Sequence, residues 1–112
     1  MNRNKIRLLA AAALLSLAGA AHASSDDAWK QFAADVEAKC KKAAVAIEKP
    51  SATVDPFGSE HYGLAVLTGK PKGAKGLIAQ ICVYDKQKKT VEIGGELDTK
   101  KLGLKPRVAP VE

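Results

Sequence analysis

The most regular pattern in the chain is a helical one that runs from Ser24 to Lys49. Apolar residues recur there at steps of three and four positions, the spacing of one face of an α-helix: Trp29, Phe32, Ala33, Val36, Cys40, Ala43, Ala44 and Ile47. Most charged residues fall off this stripe, and Pro50 cannot continue a helix. The pattern predicts an amphipathic helix over residues 24–49, with Cys40 on its buried side.

After Pro50 the hydrophobic period changes to two, which is the period of β-strands. Four short segments fit this period and are separated by turn-forming residues: residues 51–54, 62–68, 77–84 and 90–93. Residues 77–84 are mostly apolar on both faces, which indicates a central strand. Strands joined by short turns form an antiparallel meander. We therefore predict an α+β domain, in which one N-terminal helix packs on a small antiparallel sheet of three to four strands.

The first 23 residues have the organisation of a secretory signal peptide. A short basic start precedes 14 apolar or small residues from Leu8 to Ala21, and Ala21-His22-Ala23 has the small side chains that signal peptidases accept. A helical run of this length spans about 21 Å, which is too short for a membrane anchor. We predict cleavage between Ala23 and Ser24, export to the periplasm or medium of a bacterium, and no transmembrane segment in the mature chain.

The predicted signal peptide also changes the charge balance. The whole chain has 18 Lys and Arg residues against 12 Asp and Glu residues, a formal charge of +6, but three of the basic residues lie in the signal. Aromatic residues make up only 4% of the chain, which is too few for a surface that stacks on bases. Nucleic acid is therefore not an expected partner.

Two cysteines, Cys40 and Cys82, remain after the signal. In an oxidising compartment two thiols most simply form one disulfide, and their spacing does not match a redox pair. We predict that this disulfide ties the helix to the central strand. Because His61 is the one histidine after the signal, a zinc or copper site lacks ligands, and we predict no metal and no cofactor.

These features divide the chain into three parts: a signal peptide at 1–23, a single domain at 24–98 and a loosely held C-terminal tail at 99–112. Pro106 and Pro110 oppose regular strand pairing in the tail. Leu102 and Leu104 are candidates for covering an edge of the core.

Few residues of this chain suggest catalysis. Ser59, Glu60 and His61 are residue types that serve as nucleophile, orienting group and base in enzymes. Neighbours in an extended chain point to alternate sides, however, so these three side chains cannot converge on one substrate. We therefore expect a binding protein, an inhibitor or an accessory protein of the envelope. The alternative is a small envelope enzyme with a surface site around His61.

The segment DPFGSEHYG, residues 55–63, together with the basic loop 69–76, is the predicted binding surface. Phe57 is an aromatic residue in a turn, a favoured place for an interface anchor. His61 and Tyr62 follow it, while Lys70 and Lys72 supply steering charge. A competing interpretation places Phe57 in the core. The expected partner is an envelope protein, or an anionic glycan or lipid surface, although lysines in turns also simply keep a protein soluble.

Overall fold

A computed structural model describes residues 25–105. Helix α1 spans Asp26–Ala43 and is followed by four strands: β1 (Ile47–Val54), β2 (Tyr62–Pro71), β3 (Ile78–Asp85) and β4 (Val91–Ile93). The strands form one antiparallel sheet in the order β1-β2-β3-β4, and α1 packs on one face of it. The predicted α+β architecture is thus confirmed. The predicted signal peptide, its cleavage position between Ala23 and Ser24, and residues 106–112 lie outside the described residues.

The helix ends earlier than its hydrophobic pattern predicts. It stops at Ala43, and Ala44 caps it by donating its N–H to the carbonyls of Cys40 and Lys41. Ile47, the last apolar residue of the pattern, is buried but belongs to β1. A β-branched side chain suits a strand, and Pro50 disfavours helical geometry in the residue before it. The prediction of a helix through residue 49 is therefore wrong for residues 44–49.

The core lies between α1 and the facing side of the sheet. Its buried members come from every layer: Val36, Cys40, Ala44, Ile47, Ala65, Leu67, Cys82 and Tyr84. Gly63 permits close approach of the helix, since an added Cβ would lie 2.8 Å from Val36 Cγ2 and 3.0 Å from Phe32 Cζ.

The predicted disulfide between Cys40 and Cys82 is present, with 5.9 Å between the two Cα atoms. Both residues are 0% exposed. The bond joins α1 to β3, which has a strand on either side, so the predictions of the pairing and of the central strand are both confirmed.

The meander gives the sheet two ends with different residues. The first end combines the start of α1, the β1–β2 loop (residues 55–61) and the β3–β4 turn (residues 86–90), and we call it the aromatic end. The opposite end combines the end of α1, the α1–β1 turn, the start of β1, the end of β2, the β2–β3 loop (residues 72–77) and residues 96–105. We call it the basic end. Backbone and side-chain bonds hold this second end together, from Lys72 N–H to the Ala46 carbonyl and from the Thr99 hydroxyl to the Leu77 carbonyl.

Candidate functional site

Four of the five aromatic residues in the chain form a row across the aromatic end. Phe57, Trp29, Phe32 and Tyr84 contact one another in that order, with ring centroids 5.2, 5.8 and 5.7 Å apart and each pair edge to face. Trp29 and Phe32 lie three positions apart on α1, the spacing that places side chains on one face of a helix. Edge-to-face pairs of this kind stabilise a structure beyond the area they bury. We call these four residues the aromatic row.

The β1–β2 loop presents Phe57 in a defined conformation. Asp55 Oδ1 accepts hydrogen bonds from the N–H groups of Phe57 (3.1 Å) and Gly58 (3.0 Å). The bond from Gly58, followed by that from Phe57, lowers the pKa of Asp55. Gly58 has a φ of 70°, and a Cβ there would collide with the carbonyl oxygen of Tyr62. Ser59 closes the loop because its N–H donates to the same carbonyl at 2.8 Å.

Lys86 fastens this loop to the aromatic row. Its Nζ donates to the carbonyl oxygens of Phe57 (2.9 Å) and Ser59 (2.6 Å). The same Nζ lies 5.6 Å from the centroid of the Trp29 ring and 5.1 Å from that of Phe32, within cation–π range. Lys86 was not among the predicted site residues, because a charged turn has the composition of solvated surface. The signal that could have found it is the topology, which brings this turn to the end of the sheet that holds Phe57.

Phe57 covers the aromatic row from outside the core. Its side chain is 56% exposed and it is not among the buried residues between α1 and the sheet. It forms one wall of a shallow, mainly apolar groove of about 270 Å³, whose lining residues are Asp26, Trp29, Lys30, Ala33, Pro56 and Phe57. The groove offers room for an apolar side chain of a partner.

His61 and Tyr62 lie beside this loop but do not join the aromatic row. His61 is exposed, and its Nε2 is 3.9 Å from Glu60 Oε1, too far for a hydrogen bond. Ser59 Oγ accepts a hydrogen bond from Tyr62 N–H at 3.2 Å, so it is engaged by backbone and not by His61. Tyr62 is partly exposed at the start of β2. These contacts give no specific support to an enzyme site around His61.

Lys70 and Lys72 are separated from the other three candidate residues. From Tyr62 to Lys70 the strand β2 covers roughly 27 Å, which places both lysines at the basic end. Lys70 Nζ pairs with Glu48 Oε2 at 3.2 Å, and Lys72 follows at the start of the next loop. The five residues predicted from the sequence therefore do not form one surface.

A partly buried polar pair, Tyr84 and Asp35, lies at the inner end of the aromatic row. The Tyr84 hydroxyl donates to Asp35 Oδ2, and Lys39 Nζ lies 3.2 Å from the same oxygen. Burial and the bond to Asp35 raise the pKa of Tyr84 to about 12. The hydrogen bond from Tyr84, helped by Lys39, lowers the pKa of Asp35 although burial opposes the shift. Since Lys39 also donates to the Lys89 carbonyl at 3.0 Å, the pair links α1, β3 and the β3–β4 turn.

Comparisons with known proteins return no relative. No protein-family model, no curated protein and no solved structure matches this chain. Within residues 25–105, no group of three or more His, Cys, Asp or Glu side chains is placed to hold a metal ion. Over the same span, no helix has the length and apolar character needed to cross a membrane.

Proposed function

We propose that this chain is an exported bacterial protein, periplasmic or secreted, that acts by binding a protein of the cell envelope through its aromatic end. Its role would be that of an inhibitor or an accessory subunit. The Cys40–Cys82 disulfide indicates an oxidising compartment. The basic start, the apolar run and the Ala21-His22-Ala23 pattern support export by a cleaved signal peptide.

The observation that carries the proposal is an exposed aromatic side chain on a braced loop. Phe57 is 56% exposed, yet its backbone is held by Asp55 and Lys86 and its ring rests on Trp29. Aromatic anchors supply much of the binding energy of protein interfaces. A loop that is ordered before binding loses less conformational entropy when the partner arrives.

The charge of the aromatic end favours a protein partner over an anionic glycan or lipid surface. The start of α1, the β1–β2 loop and the β3–β4 turn together contain four lysines and four acidic residues. The lysines are Lys30, Lys86, Lys88 and Lys89, and the acidic residues are Asp26, Asp27, Asp55 and Glu60. An end without net positive charge does not attract an anionic surface.

The test begins with affinity capture of the partner from an envelope extract and measures its affinity for three forms of the exported protein. We expect Phe57→Ala to weaken binding by about 30-fold or more, the range of an interface hot spot. The control is Ile81→Ala, which truncates another exposed apolar side chain, and its effect should stay within about threefold. Thermal unfolding is measured for both variants. Unchanged affinity in Phe57→Ala, or its unfolding, would refute Phe57 as the anchor.

A further inference from the structure

The fold collects most of the lysines at one end of the molecule. The basic end has nine lysines and four acidic residues, a formal charge of +5, although the lysines come from four separate stretches of the sequence. The lysines are Lys41, Lys42, Lys49, Lys70, Lys72, Lys75, Lys100, Lys101 and Lys105, and the acidic residues are Glu37, Glu48, Glu96 and Asp98. The rest of residues 25–105 has a formal charge of −2.

Several of these lysines carry charge that no acidic side chain within residues 25–105 neutralises. Lys41 and Lys70 are paired with Glu37 and Glu48 at 2.9 and 3.2 Å. By contrast, several lysines have exposed side chains that form no ion pair and no side-chain hydrogen bond with another described residue. Among them are Lys72, Lys75, Lys100 and Lys101. This group lies on the β2–β3 loop and on the segment after β4, which meet where Thr99 bonds to Leu77.

Exposed aliphatic side chains lie among the lysines. Val45, in the turn between α1 and β1, is 70% exposed, while Leu102 and Leu104 are 51% and 38% exposed. All three belong to turns or irregular segments and not to the face of a helix or strand. Protruding aliphatic side chains surrounded by lysines are the combination that binds a membrane interface, because lysines attract anionic headgroups while apolar groups enter the acyl boundary.

We propose that the basic end docks on the surface of a bilayer that contains anionic phospholipid, with Val45, Leu102 and Leu104 entering the interface. A soluble polyanion would account for the lysines but not for the aliphatic side chains. The interaction is peripheral and leaves the aromatic end directed away from the lipid. It does not depend on the identity, or the existence, of a protein partner at that end.

Vesicle sedimentation with the exported form of the protein tests the charge requirement. Phosphatidylcholine vesicles are compared with vesicles in which about one third of the lipid is phosphatidylglycerol, at about 0.05 M salt to limit screening. One variant combines Lys72→Gln, Lys75→Gln and Lys101→Gln at the basic end. Its matched control combines Lys30→Gln, Lys88→Gln and Lys89→Gln, which removes the same charge from the aromatic end.

We expect wild type to bind the anionic vesicles and not the neutral ones. At about fivefold per lysine, the basic-end variant should bind about 100-fold more weakly, and the control should stay within about threefold of wild type. Equal losses in the two variants would show that net charge alone matters and would overturn the proposal. Failure of wild type to bind anionic vesicles would also overturn it.

A second pair of measurements distinguishes a lipid surface from another polyanion. At about 0.3 M salt, where charge attraction is screened, Val45→Ser combined with Leu102→Ser should lower vesicle binding by about tenfold, since the apolar contribution then dominates. Soluble heparin at the same anionic charge concentration should displace the protein poorly under these conditions. Unchanged vesicle binding by this variant, together with tight binding to heparin, would identify a polyanion site and refute the lipid proposal.

Discussion

Removing the Cys40–Cys82 disulfide is the perturbation whose size follows most directly from the structure. The two residues are 42 positions apart, and the bond closes a loop that runs from the helix through two strands into a third. Restricting an unfolded chain by a loop of this length stabilises the folded state by about 4 kcal/mol at 25 °C. Small domains have total stabilities of about 5–15 kcal/mol, so this bond supplies a large share. For a domain of this size, the expected fall in Tm is about 20 °C.

The assay is urea and thermal unfolding of wild type and of the double variant Cys40→Ala with Cys82→Ala, followed by far-UV circular dichroism. Because both cysteines are 0% exposed, reductant should act on wild type only after the chain opens. Reduced wild type should then approach the stability of the double variant, while reductant leaves the variant itself unchanged. A difference between wild type and double variant below about 1 kcal/mol would refute the reasoning, since the loop would then restrict the unfolded chain very little.

Four further predictions concern the core, the pH dependence and the N-terminus. Gly63→Ala should cost about 1–3 kcal/mol, because its Cβ would lie within 3.1 Å of three core side chains, whereas Gly95→Ala, which meets nothing within 4 Å, should leave chemical unfolding unchanged. The fold raises the pKa of Tyr84 from 10.0 to about 12, so the protonated hydroxyl contributes its full stabilisation below pH 10 and this contribution is lost as the pH rises towards 12. Urea unfolding at a series of pH values should show this loss of stability in wild type and not in Tyr84→Phe. The lowered pKa of Asp35 affects stability at acid pH: the ionised carboxylate stabilises the fold above about pH 4, and this contribution is lost on further acidification. Asp35→Asn removes the carboxylate and should therefore show a smaller loss of stability in acid. Intact mass of the exported protein should correspond to a chain that begins at Ser24, and retention of residues 1–23 would contradict the signal peptide.

Local periodicity was sufficient to predict the layers of this fold but not the end of the helix. The stripe from Trp29 to Cys40 and the two-residue period after Pro50 are unambiguous, because each extends over several repeats. Ile47 fits the helical spacing as well as it fits a strand. Which of the two forms depends on tertiary packing: Ile47 fills the core from the β1 side after the chain has reversed. A local pattern contains no information about that reversal.

The candidate site was predicted only in part, for a topological reason. Residue type alone predicted an anchor at Phe57, since an aromatic side chain in a turn is difficult to bury, and the structure shows this side chain exposed. Its brace, Lys86, is 29 positions away and approaches only because alternate turns of a meander lie at the same end of a sheet. The same rule separates Lys70 and Lys72 from Phe57, because β2 lies between them. The sequence prediction grouped the β1–β2 loop with the basic loop at residues 69–76, whereas in the structure the β3–β4 turn, residues 86–90, lies beside it.

The separation of the two ends leads to a last prediction about their independence. The aromatic row and the basic end are divided by the length of β2, roughly 27 Å, while electrostatic interactions in solution are screened over about 10 Å at 0.1 M salt. A charge change at one end should therefore hardly alter the field at the other. Phe57→Ala should leave vesicle binding unchanged, and the variant with Lys72, Lys75 and Lys101 replaced by Gln should leave the affinity for a protein partner unchanged. If either substitution affects both interactions, the two surfaces are coupled through the fold or belong to one site, and the assignment of separate roles to the two ends is wrong.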